Sequence, residues 1–354
     1  MKVTVTSFLN VRVGMPRLTA PAFHQLSPKT EIEIDGKLYR GDKYEGIDTW
    51  VRDSAGNYYW SGGTNYSTLN ASVMEVSNPP ITKFNYNDLI RIKPRYKATK
   101  GKGVTVAVID TGCGKHSALG DAVKSEYSVF TKAYKAPDNS LNGHGTFLCG
   151  IIGARENHEN EIIGIAPECQ LSVVKAVEEE DVDGSNVLDA LRWIDNQALV
   201  PDIINLSLDF DPATNIDNLT TLFNSLTQKG AIIVAAGQNE TLIYSNSIFY
   251  PARDVNVHGV GAISEDKIST NPVNPAINYI LPNWDFYSLG NYGDLYKSLK
   301  GCSISSAILT ASLALICSYR KSNPVTQNPV AVLNGEAVEL LTSNFDNTLK
   351  IFRP

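Results

Sequence analysis

From residue 104 onward the chain alternates two kinds of apolar pattern. Continuous, β-branched runs at 104–109, 171–177, 203–208, 231–235 and 257–260 have the composition of strands covered on both faces. Between them the apolar positions fall three and four apart, as in Val187, Leu191, Ile194 and Ala198, or Leu219, Leu222, Phe223 and Leu226, the period of one helix face. Ile304, Ala307, Ile308, Ala311 and Leu315 repeat that period in a more apolar run and predict a buried helix. Strands alternating with helices predict an α/β domain of three layers, a parallel sheet between helices.

The first third of the chain reads differently. Over 1–68 short alternating runs such as 31–34 and 49–52 are broken by the turn signals Asp35-Gly36 and Ser54-Ala55-Gly56-Asn57, which predicts a small all-β domain. Residues 69–100 form a connector with Pro79-Pro80 and the basic stretch 91–97, since a proline pair suits neither a helix interior nor a central strand, and a linker that then wraps onto the following domain is expected. The third segment is then 101–354, ending in a polar tail with a helix expected near 336–341.

A length of 354 residues allows two domains, and a net charge of −6 supplies no broad basic field for nucleic acid or anionic membrane. The opening Met1-Lys2-Val3-Thr4-Val5 lacks the apolar core of an export signal, and the Ser- and Thr-rich run 304–317 is short for a bilayer, so a cytoplasmic protein is expected. Five cysteines, an odd number without metal-ligand spacing, fit reduced thiols there.

Three short motifs carry candidate chemistry. Asp110 ends the run 104–109 and is followed by the turn Thr111-Gly112, where a carboxylate can fix the tautomer of an imidazole. Of five histidines only His144 lies between glycines, and it directly precedes an apolar helical run, a suitable place for a general base. Ser303 follows Gly301-Cys302 at the start of the last apolar helix. There the helix dipole favours a developing oxyanion, although in isolation the position also suits an N-cap serine.

The order Asp, His, Ser is that of subtilisin, itself the reference case for this order, and differs from chymotrypsin and the α/β-hydrolases, whose Gly-x-Ser-x-Gly elbow is also missing around Ser303. The chain therefore resembles the subtilisin-like serine peptidases from about Gly101 to about Tyr319. That resemblance implies an endopeptidase in which Ser303 attacks, His144 shuttles the proton and Asp110 orients it, through an acyl-enzyme and without a cofactor. Around Ser303 the chain departs from the family. Cys302, Ile304 and Ser305 replace Thr, Met and Ala, and Ala307-Ile308 replace a Pro-His pair. Cys302 is then either a second, thiol nucleophile or a small buried residue.

The segment Ala235-Ala236-Gly237-Gln238-Asn239-Glu240 resembles the family's Ala-Ala-Gly-Asn-Glu stretch, which implies an oxyanion donor at Gln238, or at Asn239 if one residue is inserted. The resemblance also implies that a polypeptide substrate lies along Ser207, Leu208 and Asp209, with the loop at Gly184 on the other side. The acidic run 178–183 is either a solvated loop or the source of a preference for basic substrates. A family calcium ligand would be an Asp in His-Pro-Asp-Leu. Here the stretch is His116-Ser117-Ala118-Leu119, so that site is not expected, while calcium elsewhere stays open and no cofactor is required.

Upstream, Leu9-Asn10-Val11-Arg12 and Gly56-Asn57-Tyr58-Tyr59-Trp60-Ser61-Gly62-Gly63 are similar to bacterial SH3-like domains. Tyr58, Tyr59 and Trp60 then either bind a protein, peptide or glycan ligand or fill a small core. Two functions from different classes follow: a peptidase, general or specialised for one partner or precursor, and an inactive binding protein that keeps the fold.

Overall fold

The computed structural model describes the chain apart from residues 14–15, 17–21, 55–56, 67–72, 76–83, 87–89, 157–161, 180–181, 211–215, 240–249, 264–275, 283–285, 294–295, 324–327, 332–338, 342–347 and 351–354. It forms two units, Met1–Thr82 and Lys83–Pro354.

The first unit is all β among its described residues. Its main sheet runs in the order Ala22–Leu26, Leu9–Val13, Asn57–Trp60, Ile47–Arg52, Leu38–Tyr44, Val73–Glu75, antiparallel except at the last pair. Lys2–Thr4 pairs separately with Glu31–Glu33. Tyr58, Tyr59 and Trp60 are buried with Trp50 and Val51 in one cluster. The polar ends of Tyr59 and Trp60 are satisfied internally, Tyr59 by Asp53 Oδ2 at 2.7 Å and Trp60 by the Ile47 carbonyl at 3.1 Å. Large aromatics with internal partners contribute to the core rather than to a binding face.

In the second unit the strands are β1 (Thr105–Asp110), β2 (Val123–Ser128), β3 (Gln170–Lys175), β4 (Ile203–Leu206), β5 (Ile232–Asn239), β6 (Val257–Ile263) and β7 (Ile277–Pro282). They form one parallel sheet in the order β2-β3-β1-β4-β5-β6-β7. The helices are α1 (His144–Gly153), α2 (Gly184–Asp195), α3 (Ile216–Gln228) and α4 (Cys302–Ser322).

Alternation along each strand builds two cores. Val106 and Val108 of β1 join Phe147, Ile151, Ile308 and Leu315 of α1 and α4 on one face. Ala107 and Ile109 join Val187, Leu191, Leu219 and Phe223 of α2 and α3 on the other. The second unit is therefore a helix–sheet–helix sandwich. α4 has 21 residues, longer than its apolar run suggested, and most are buried in the layer it forms with α1. Phe223 is fully buried in the layer remote from α1 and α4. We expect Phe223→Ala to cost about 3–5 kcal/mol of stability in urea unfolding while leaving the folded fraction as reactive as wild type; unchanged stability would contradict the packing.

Within 69–100, Phe84–Asn85 pairs with Ile162–Ile163, and Ile90–Arg91 pairs with Glu339–Leu341, while Pro94–Lys97 is a short helix whose Tyr96 stacks edge-on to Tyr319 at 5.1 Å. Pro79-Pro80 lies outside the described residues. The tail helix is not formed where it can be seen: Glu339–Leu341 is a strand, paired on one side with Ile90–Arg91 and on the other with Thr348–Lys350. Pairing on both sides outweighs the helical preference of Glu-Leu-Leu.

Candidate active site

Asp110 is the last residue of β1, at the carboxyl edge of the sheet, 2% exposed. Its Oδ1 accepts the Thr111 amide at 2.8 Å. The chain then turns at Gly112, whose φ of +108° suits glycine. Lys175 lies opposite Asp110 in the ladder, and its buried ammonium donates to the Thr111 and Pro137 carbonyls at 3.1 and 3.3 Å, tying two loops to the strand end.

His144 is the first residue of α1, 34 positions further along. The helix has no side-chain cap from Gly143. Its first amides are taken up across the fold, Gly145 by Thr111 Oγ1 at 2.9 Å and Thr146 by Asp138 Oδ2 at 3.1 Å. Gly145 cannot carry a side chain, because a Cβ would stand 2.2 Å from the Gly112 carbonyl oxygen. The imidazole is thereby brought against the strand end, with Nδ1 2.8 and 3.0 Å from the two Asp110 oxygens. Burial pushes its pKa down, but the charge and hydrogen bond of Asp110, with further charge from Asp138, more than offset this. Lys297 opposes them, and the net position is above that of free histidine.

Ser303 lies in the first turn of α4, after Gly301 at φ +133°. Its hydroxyl donates to the Ser207 carbonyl at 2.9 Å. Beneath it a buried polar chain joins helix to sheet. Ser207 Oγ donates to the Ser303 carbonyl at 2.8 Å and lies 2.7 Å from Ser306 Oγ, while Asn205 links Ser207 Oγ to Thr310 Oγ1 at 2.8 and 2.9 Å. The polar residues in otherwise apolar stretches, Asn205 in β4 and Ser306 and Thr310 in α4, were the available signal for this network. Cys302 packs with Ala236 and Ala262 and is 5% exposed.

Asp110, His144 and Ser303 line a single cavity of about 250 Å³, with Ser207, Leu208 and Asp209 along one wall. Val177, Glu179 and Val182 also line it, and the Glu179 carboxylate accepts the Leu141 amide at 3.2 Å. Gly184 does not line this cavity. It opens α2, where a Cβ would press to 2.8 Å on the Phe210 ring. Gln238 and Asn239 end β5, and their side chains lie outside the described residues, as do Glu180 and Asp181. Ala118, at the position of the family's calcium-binding Asp, is fully buried and offers no side-chain oxygen, so these residues do not fit that ion. Among the described residues no three His, Cys, Asp or Glu side chains converge as a metal site would require.

The family model for the Subtilase family, Peptidase_S8, matches residues 101–344. Subtilisin BL of Lederbergia lenta is 30% identical over 235 residues, covering 64% of this chain and 80% of that protein. The Major intracellular serine protease of Bacillus subtilis (strain 168) is 29% identical over 238 residues, covering 64% and 72%. Among solved structures, one described as proteases from Pseudoalteromonas arctica PAMC 21717 superposes with a TM-score of 0.56 at 19% identity over 68% of this chain and 84% of that one, a likeness of fold. These matches define a serine-type endopeptidase, a hydrolase of polypeptides. The chain belongs to the subtilase family.

Proposed function

We propose that Asp110, His144 and Ser303 are the catalytic triad of this peptidase and that it works through an acyl-enzyme. The observation that carries the reading is the Asp110–His144 hydrogen bond inside the cavity that Ser303 also lines. Asp110 holds the Nδ1 proton and so leaves Nε2 as the base. Ser303 leaves the Ser207 carbonyl, gives its proton to Nε2 and attacks the scissile carbonyl; His144 returns the proton to the leaving amine. The Ser303 amide and a side-chain amide from Asn239 or Gln238 hold the oxyanion. A single adduct with a fluorophosphonate probe, seen by intact mass, tests the reading. A chain that does not label would instead be the binding protein that keeps the fold.

The substrate lies extended along Ser207, Leu208 and Asp209, bound through its backbone. Glu179 and Asp209 on the cavity wall favour a cationic side chain there. Peptides with Arg before the scissile bond are expected to be cleaved with a higher kcat/KM than matched peptides with Leu, and a preference for Leu would remove the acidic wall from the account. The β unit at the N-terminus is read as an SH3-like module, its buried aromatics serving its core, with any protein or peptide ligand taken by other residues. We read the protein as cytoplasmic, a compartment that suits its five free, buried cysteines, and as either a general peptidase or a processing enzyme for one partner or precursor, which a panel of generic peptide substrates separates.

A further inference from the structure

Two charged side chains behind His144, Asp138 buried and Lys297 half-buried, belong to neither the triad nor the substrate wall. Asp138 is 2% exposed, yet its carboxylate is fully engaged. Oδ1 accepts Ser140 N at 3.2 Å and Ser140 Oγ at 2.6 Å; Oδ2 accepts Thr146 N at 3.1 Å and Thr146 Oγ1 at 2.6 Å. The hydroxyls pass the order on, Ser140 Oγ accepting Gly143 N at 3.0 Å and Thr146 Oγ1 accepting Gly114 N at 2.8 Å. Asn291 clamps the same loop through the Asp138 and Ser140 carbonyls at 3.1 and 2.7 Å. Lys297, on the hairpin strand Tyr296–Leu299, donates Nζ to the Asn142 carbonyl, two residues before His144.

We propose that Asp138 and Lys297 are positioning residues for His144, two charges of opposite sign that hold the loop entering α1 and act electrostatically on the imidazole from outside its bond to Asp110. The inference rests on the reading of His144 as the base. Asp138 serves two purposes at once, because the carboxylate that caps the first turn of α1 also places a negative charge near the ring. Lys297 supports the loop from a different element and places a positive charge there. Burial costs Lys297 part of its basicity and Asp138 restores some of it, so the two charges are coupled to each other as well as to His144. Other ionisable groups nearby are Asp110 from β1, Lys175 behind Thr111, Glu179 and Asp209 on the cavity wall, Cys113 and the Cys149 thiol of α1, and Tyr292, the last two interacting with Asp138.

The signs can be separated. Asp138 favours the imidazolium and Lys297 disfavours it. Removing Asp138's charge therefore moves the His144 titration to lower pH, and removing Lys297's charge moves it to higher pH. A role confined to holding the loop would not produce opposite shifts.

The experiment is NMR titration of the His144 ring protons in full-length protein on a Ser303→Ala background, comparing that background with Asp138→Asn and Lys297→Met. It is paired with fluorophosphonate labelling rates against pH in the same two variants with Ser303 intact. Expected are a lower midpoint for Asp138→Asn, a higher one for Lys297→Met, return to the wild-type midpoint in Lys297→Arg, and a labelling limb that follows each. Asp138→Asn also puts an amide where Thr146 N needs an acceptor, so its plateau labelling falls by on the order of 100-fold as the base is misplaced. Midpoints that move the same way in both variants, or not at all, overturn the proposal. If Asp138→Asn does not fold, Lys297→Met and Lys297→Arg decide it alone. Opposed NMR shifts with an unmoved labelling limb uphold the electrostatic pairing and overturn the assignment of His144 as the base.

Discussion

Ser303→Ala is expected to remove fluorophosphonate labelling and lower peptide turnover roughly a million-fold, the magnitude measured for the same replacement in subtilisin, a member of this family. The expectation follows from where the hydroxyl stands. It is the partly exposed serine of the α4 first turn, in the cavity with His144, while Ser305 and Ser306 in the same turn are fully buried. The structural cost is small. Ser303 Oγ makes one bond, to the Ser207 carbonyl, worth about 1 kcal/mol, and the buried links through Ser207, Ser306, Asn205 and Thr310 stay in place without it. Thermal unfolding should therefore barely change while activity disappears. Cys302→Ala provides the contrast. Its thiol packs against Ala236 and Ala262, so truncation should leave labelling intact. An adduct that survives in Ser303→Ala and vanishes in Cys302→Ala would make this a thiol enzyme.

How much of this could be read before any coordinates depends on whether a residue's role is local. The central strands β1, β3, β4, β5 and β6 lie inside the sheet and are legible because both faces are apolar. The edge strand β2, Val-Lys-Ser-Glu-Tyr-Ser, has one side in solvent and carries no such run, and it was missed. So was β7, at the other edge. Asp110, His144 and Ser303 each stand where a strand ends or a helix begins, with glycine beside or near them, a pattern visible in one dimension. Asp138, Lys175 and Lys297 look like ordinary surface charges in the sequence. The burial of Asp138 and Lys175 and the partial burial of Lys297 arise only when the 138–143 loop, the end of β3 and the hairpin at 296–299 meet over the start of α1. The acidic run 178–183 is an intermediate case. Its charge was evident, but only the fold shows Glu179 on the cavity wall and Asp183 turned away to cap α2 through Ser185 N.

The second large effect concerns the oxyanion. Asn239→Ala is expected to lower kcat about 100- to 1000-fold, the range measured for the asparagine donor of subtilisin itself, with KM little changed, whereas Gln238→Ala leaves kcat near wild type. Along β5 and β6, Ala236 faces Val260 and Asn239 faces Ala262, so three steps on one strand match two on the other. One extra residue is thus held in β5 between these pairs, as in a β-bulge. A bulge re-aims the side chains beyond it, and the family's Ala-Ala-Gly-Asn stretch is matched here once the extra residue is assigned to Gln238. On our proposed assignment Asn239, at the carboxyl edge of β5 two strands from Asp110, would be the donor. The loss should appear in kcat because the donor meets a charge that exists only in the transition state. Equal losses in the two variants would mean that both amides share the oxyanion; a larger loss in Gln238→Ala would mean that the extra residue follows the donor instead of preceding it.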